Sequence, residues 1–124
     1  MPLTAFLKLS LLVAITATAI SARADLVVLQ YHHVSDSTPP ATSTSVSLFE
    51  GQLNMILDLE LDVVDLQQGT ETTLAGTDGQ GNHIAITFDD AYDSVYHTAA
   101  PLLADKAYPY TIFVNTEAVG QPQR

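Results

Sequence analysis

The stretch that most constrains the fold runs from His83 to Leu103, HIAITFDDAYDSVYHTAAPLL. It opens with apolar, β-branched and aromatic residues, which are typical of a buried strand. Two adjacent carboxylates, Asp89 and Asp90, end this run, and a helix-forming segment follows almost at once. Functional groups of α/β folds collect at the carboxyl ends of the strands. The stretch therefore predicts a strand, a turn with a candidate site, and a helix.

The flanking sequence repeats this alternation. We predict strands at Leu26–Val34, within LDVVDL, at HIAITFDD and at YPYTIFVNT, and helices from Val46 onward and over Asp93–Lys106. Ser47 and Glu50 have the spacing of a capping box, and Pro101 predicts a bend or break in the second helix. The polar segment QQGTETTLAGTDGQGN indicates a surface excursion without a core of its own. Alternating strands and helices predict an α/β fold with parallel strands and helical crossovers.

The first 24 residues have the pattern of a cleavable leader. Lys8 precedes an apolar run from Leu9 to Ile20, and Ala22-Arg23-Ala24 has the small-x-small pattern of a signal-peptidase site. A retained membrane anchor is the alternative, but the run is shorter than the ~20 residues of a spanning helix. We predict a signal peptide over 1–24, one domain over 25–124, and export to the periplasm or the medium.

Composition excludes several kinds of partner. Residues 25–124 carry two basic residues against all 14 acidic ones, a formal charge of −12. Such a surface repels nucleic acid and anionic lipid, so neither is an expected partner. No stable membrane span is expected either, because the one apolar run is short. Cysteine is absent, which excludes disulfides and thiolate chemistry.

The paired aspartates allow two interpretations from their spacing alone. Like charges this close are costly unless a cation or a shared proton compensates them. A divalent metal would do so if one carboxylate bound it while the other handled protons. Alternatively, the pair is a solvated strand end in which one Asp caps the helix that begins near Asp93.

The motifs around the pair resemble a known family. Thr87-Phe88-Asp89-Asp90-Ala91, then Pro101-Leu102-Leu103, then Thr111-Ile112-Phe113-Val114 resemble the first catalytic motif of the polysaccharide deacetylases and its flanks. This family contains the NodB homology domain of carbohydrate esterase family 4. Upstream, LQYHHV, LFEGQLNMILDL and DVVDL resemble the lead-in of the branch whose first strand carries Y-H-x-V. The resemblance runs from Leu26 to Gly120.

The resemblance implies the N-terminal part of a distorted (β/α) barrel and metal-dependent hydrolysis of N-acetyl groups on a polysaccharide. It implies that Asp89 is the general base, that Asp90 binds the metal, usually zinc, and that His32 is a general acid or orienting group. Ala91 replaces the usual Gly and would be strained if the turn needs a positive φ. The family's second metal motif, H-[ST]-x-x-H, does not occur in this sequence. Zinc would therefore need ligands from elsewhere, and the remaining C-terminal part of the domain is an expected partner.

Other classes of function have less support. A non-catalytic carbohydrate-binding remnant of such a domain is the alternative to an enzyme. A nucleotide-binding protein is disfavoured, because no G-x-x-x-x-G-K-[ST] motif occurs. His33 is expected to point away from the site, and the sequence gives His83 and His97 no functional role.

Overall fold

The computed structural model describes residues 26–76 and 82–121. The predicted signal peptide and its cleavage site lie outside these residues, so export stays a prediction. The elements in chain order are β1 (Leu26–Tyr31), β2 (His33–Val34), a 3₁₀ turn (Pro40–Thr42), β3 (Ser43–Thr44), α1 (Val46–Asp58), β4 (Asp62–Val63), α2 (Leu66–Ala75), β5 (His83–Asp89), a π-helical turn (Val95–Ala99), α3 (Ala100–Ala104), β6 (Thr111–Phe113) and a second 3₁₀ turn (Thr116–Ala118).

The main sheet is built around β5. β1 pairs with nearly the whole length of β5, while β4 pairs with its beginning and β6 with its end. Every one of these pairings is parallel, and helices connect the successive strands of this sheet. The predicted α/β fold with parallel strands and helical crossovers is confirmed.

The first predicted strand was too long. Leu26–Val34 was expected to be continuous, but the chain bends at His32, and β2 pairs with β3 in a separate two-stranded sheet. The backbone of β2 finds its partners outside the main sheet: the Val34 amide donates to Ser94 Oγ at 3.2 Å. Because both partners lie outside the β-branched run, and Ser94 is 60 positions away, the run alone could not reveal the bend.

α1 begins where the sequence predicted, but its cap differs. Ser45 is the N-cap, and its side chain accepts a hydrogen bond from the Leu48 amide at 3.2 Å. The predicted capping box of Ser47 and Glu50 is wrong, because both residues lie inside the helix. The helix buries Phe49, Leu53 and Ile56 against the sheet.

α2 lies where the sequence predicted a surface excursion over residues 67–82, so that prediction missed a helix. The Asp65 side chain caps it by accepting from the Gln67 and Gln68 amides, and Gly76 ends it in the left-handed conformation. Gly69 allows it to lie close to the sheet, because a Cβ there would be 2.8 Å from Val64 and 3.0 Å from Leu26. Local caps and one close glycine contact therefore form a helix that has almost no apolar face.

The predicted break at Pro101 is present. The chain first makes a π-helical turn, in which the Ala100 amide donates to the Val95 carbonyl, and α3 follows with Pro101 in its first turn. Proline lacks an amide hydrogen and fits the first turn of a helix, so a new helix starts there. Val95, Ala99 and Leu103 are buried, and Leu102 is partly buried beside them.

The two faces of the main sheet are covered differently. Alternate residues of a strand lie on opposite faces, and paired residues share a face. The face formed by Tyr31, Ile84, Ile86 and Phe88 packs with the buried residues of α1, the π-helical turn and α3. We call it the closed face. Burial on this face raises the pKa of the Tyr31 phenol, which donates to Gln52 Oε1 at 2.9 Å.

The opposite face contains Gln30, Thr87, Asp89 and Phe113, and we call it the site face. α2 covers its beginning, where Gly69 lies against Leu26. Towards the carboxyl end of β5 the cover thins, and Phe113 is 52% exposed. The candidate site lies at this end.

Candidate active site

Asp89 is the last residue of β5 and lies at the carboxyl edge of the sheet. Because Tyr31 pairs with Phe88, the next residue on each strand brings His32 beside Asp89. The Asp89 side chain is 27% exposed, so water can reach its carboxylate. The structure therefore places the predicted base where α/β folds carry their functional groups.

Two side chains from the end of β1 approach the same Asp89 oxygen. Gln30 donates a hydrogen bond from Nε2 to Asp89 Oδ2. His32 Nε2 lies 3.8 Å from this oxygen, which is too far for a hydrogen bond but close enough for an ion pair when His32 is protonated. The sequence had singled out His32 but not Gln30, because the hydrogen bond depends on the register between β1 and β5.

Asp90 occupies a left-handed turn rather than the strand. Its φ is 66°, and that of Ala91 is 52°. Aspartate tolerates this region, whereas alanine is strained there. The sequence predicted strain at Ala91 if the turn required a positive φ, and the turn does have one. The Asp90 amide donates to the Phe113 carbonyl at 2.9 Å, which ties the turn to the end of β6.

Tyr92 follows this turn and stacks on His33. The two ring centroids are 3.7 Å apart and the rings are inclined by 23°. His33 had been expected to point away from the site. The bend at His32 interrupts the alternating direction of the side chains along the strand. It brings the His33 ring against the segment that follows the aspartates. No local pattern in the sequence signals this contact.

A concavity of about 840 Å³ adjoins the turn. It is lined by residues of the turn and by the segment that follows β6: Asp90, Ala91, Tyr92, Val114, Asn115, Glu117, Ala118, Val119, Gly120 and Gln121. Carboxylates, carboxamides and an aromatic ring thus meet beside Asp90. A concave, mixed lining of this kind can hold a polar small molecule or part of a polymer.

The other two histidines lie elsewhere. His83 Nδ1 is 3.4 Å from Asp62 Oδ2 at the beginning of β5, the opposite end of the strand from Asp89. His97 Nε2 is 3.2 Å from Asp93 Oδ1 on the exposed side of the helical segment. Neither joins the candidate site.

The chain's sequence and fold both match a family of known activity. The model of the polysaccharide deacetylase family matches residues 76–124. The structure of IcaB from Ammonifex degensii is 33% identical in sequence with a TM-score of 0.71, and the match covers 82% of this chain and 42% of that one. This chain is related to the polysaccharide deacetylases. The predicted resemblance is confirmed.

Two further solved structures share the fold of this deacetylase-related chain. The de-N-acetylase from Aggregatibacter actinomycetemcomitans is 23% identical with a TM-score of 0.68, covering 78% of this chain and 40% of that one. The deacetylase PplD from Streptococcus pyogenes, in complex with acetate, is 20% identical with a TM-score of 0.68, covering 83% and 49%. The chain thus spans less than half the length of these solved structures. No curated protein matches its sequence significantly.

The described part of this deacetylase-related chain does not assemble a metal site by itself. Across residues 26–76 and 82–121, no group of three His, Cys, Asp or Glu side chains could hold an ion together. Zinc takes at least three protein ligands in catalytic sites. Asp89 and Asp90 therefore do not suffice for it. In the same described ranges, no helix combines the length and apolarity needed to cross a bilayer.

Proposed function

We propose that this chain supplies the aspartate part of an active site that removes N-acetyl groups from a carbohydrate polymer. The observation that carries the proposal is the position of Asp89: accessible, at the carboxyl edge of the sheet, and next to Asp90 in a left-handed turn. The relationship to the polysaccharide deacetylases supports the reaction class.

In the proposed reaction Asp89 is the general base. Its carboxylate accepts a proton from a water molecule while the water oxygen bonds to the acetamide carbonyl carbon. The carbon–nitrogen bond then breaks, the nitrogen takes up a proton from the protonated Asp89 or from His32 and leaves as a free amine on the sugar, and acetate is the second product. The partial exposure of Asp89 supports this role, because the base must meet both water and a polymer.

We assign Asp90 to the divalent metal, most simply zinc, that the family resemblance implies. Its carboxylate adjoins the concavity and can contribute one ligand. The remaining ligands must come from outside the described residues, because no third candidate lies near enough there. The C-terminal part of the domain is the expected source.

His32 is proposed as an orienting group or general acid. Its Nε2 lies 3.8 Å from Asp89 Oδ2 and its side chain is 37% exposed, so it can contact both the carboxylate and a bound substrate. The substrate class, an N-acetylated polysaccharide, and the exported location are part of the same proposal. The exported location rests on the leader pattern at residues 1–24.

A chimera tests the proposal. Residues 26–121 of this chain would replace the matching portion of Ammonifex degensii IcaB, and acetate release from N-acetylglucosamine oligomers would be measured with zinc present. We expect activity that Asp89→Ala and Asp90→Ala each reduce at least ~100-fold, since the first removes the base and the second a metal ligand. Asp93→Ala, which removes the exposed partner of His97, is the matched control and should leave the activity unchanged.

The chain alone, supplied with zinc, is expected to release no acetate, because its described residues do not complete a metal site. Acetate release by the chain alone would contradict this part of the proposal. A well-folded chimera that stays active with Asp89→Ala would contradict the assignment of the base.

A second candidate function is metal-independent binding of a glycan without hydrolysis. The concavity beside Asp90 favours it, because Tyr92, Asn115 and Glu117 offer an aromatic ring and hydrogen-bonding groups without any metal. Calorimetry in the presence of a chelator would measure the binding of N-acetylglucosamine oligomers to the chain. This measurement separates the binding function from the metal-dependent reaction. Binding that survives both the chelator and Asp90→Ala would support the non-catalytic candidate.

A further inference from the structure

We infer that Gln30 is a positioning residue, whose side-chain amide fixes the orientation of the Asp89 carboxylate. The functional meaning of this inference rests on the proposed function, in which Asp89 is the base. The inference adds a residue to that site and distinguishes the two oxygens of the base from each other.

The register of the sheet brings the two side chains together. Gln30 pairs with Thr87, which lies two residues before Asp89, so all three lie on the site face. The long Gln30 side chain extends toward the carboxyl end of β5 and donates from Nε2 to Asp89 Oδ2. Thr87 cannot replace it, because the Thr87 hydroxyl donates to the Leu29 carbonyl within the sheet.

The two oxygens of Asp89 have different surroundings. Oδ2 accepts the hydrogen bond from Gln30 and is also the oxygen nearest to His32. Within the described ranges, no hydrogen bond to Oδ1 is formed, so this oxygen is the one free to accept a proton from water. The orientation of the carboxylate thus decides which oxygen faces the reacting water.

The chemistry of a carboxamide suits this task. A hydrogen bond to an ionised carboxylate is stronger than one between neutral groups, so it can hold the side chain even where water has access. Glutamine carries no charge and does not titrate, so it does not neutralise the negative charge that a base needs. A lysine or arginine at this position would do so.

The inference is tested by NMR on the chain itself. The two side-chain amide protons of Gln30 should be well separated in the wild-type protein because one of them is hydrogen-bonded. We expect Asp89→Ala to collapse this separation and Asp89→Asn, which keeps an oxygen acceptor, to restore part of it. Asp90→Ala is the matched control and should leave both Gln30 resonances in place, because Asp90 lies beyond the strand in the turn.

The reverse experiment uses the carboxyl carbon of Asp89. Gln30→Leu should shift this resonance, whereas Gln52→Leu, which removes the partner of Tyr31 on the closed face, should not. Unchanged backbone amide resonances of Ile84 and Ile86 would verify that each variant is folded. Gln30 resonances at the positions of a free side chain, or unaffected by Asp89→Ala, would overturn the inference. They would leave the proposed function standing, because acetate release is measured separately.

Discussion

The closed face and the site face of the main sheet share the same strands but differ in burial and polarity towards the carboxyl end of β5. On the closed face, Tyr31, Ile86 and Phe88 are buried under α1 and α3, and the Tyr31 and Phe49 rings meet edge to face with centroids 5.0 Å apart. On the site face, the side chains near the end of β5 are polar or partly exposed. At its carboxyl end, β5 therefore carries a core residue, Phe88, on the closed face and the candidate base, Asp89, on the site face.

This division means that the two sets can be changed nearly independently. Burial of apolar area stabilises the closed face, and each large side chain there contributes a few kcal/mol. The partly exposed Asp89 carboxylate of the site face contributes little to stability. Substitutions on the two faces should therefore separate loss of folding from loss of function.

Two phenylalanines give the largest expected contrast. Phe88→Ala on the closed face removes a side chain that is 0% exposed, and we expect a loss of about 3–5 kcal/mol in the free energy of unfolding. Phe113→Ala on the site face removes one that is 52% exposed and should cost about 1 kcal/mol or less. Urea unfolding followed by far-UV circular dichroism measures both. Equal losses would mean that the site face is as well covered as the closed face.

A smaller effect on stability is expected in the turn formed by Asp90 and Ala91, which follows β5. Ala91→Gly removes the steric cost of a φ of 52° and should stabilise the protein by about 1 kcal/mol, seen as a higher melting temperature. Ala104→Gly, at the last residue of α3, is the control, because glycine gains no relief of strain there and should destabilise by roughly 0.5 kcal/mol. A lower melting temperature for Ala91→Gly would show that the turn is not strained at this residue.

The smallest effect concerns Tyr31. Burial raises its pKa above the ordinary value of 10.0 in the folded state. Below that value the phenol is neutral in both states, so it has no effect on the pH dependence. Above it the unfolded state loses the proton first, so the free energy of unfolding falls as the pH rises.

Unfolding midpoints in urea between about pH 9 and pH 11 test this expectation for Tyr31. Tyr31→Phe removes the titrating group and should flatten that part of the profile. If the variant keeps the full slope, other groups cause the alkaline loss of stability.

The structural features that the sequence predicted correctly are those that depend on local sequence pattern. Hydrophobic runs and helical spacing predicted the parallel α/β fold, the start of α1 at Val46 and the break at Pro101. The position of Asp89 at the end of a strand followed from the same reasoning. These features need only the periodicity of side chains and the chemistry of single residues.

What could not be predicted depends on partners that are distant in the chain. α2 is held by its caps and by the contact of Gly69 with Leu26, although its composition is polar. The hydrogen bond from Gln30 to Asp89 joins residues 59 positions apart, and the His33–Tyr92 stack requires the bend at His32. Register and bends set these contacts, and neither leaves a mark in a short segment of sequence.

The hydrogen bond between the Asp90 amide and the Phe113 carbonyl has a consequence for the dynamics of the turn. β6 has three residues, and in the described ranges β5 is the strand it pairs with. Short strands at a sheet edge open more readily than central ones, and each opening of β6 would release the Asp90 amide to solvent. The hydrogen-exchange rate of this single amide therefore reports how often the turn that carries Asp90 loses its support. Any polypeptide that covered β6 would slow that exchange without touching either aspartate.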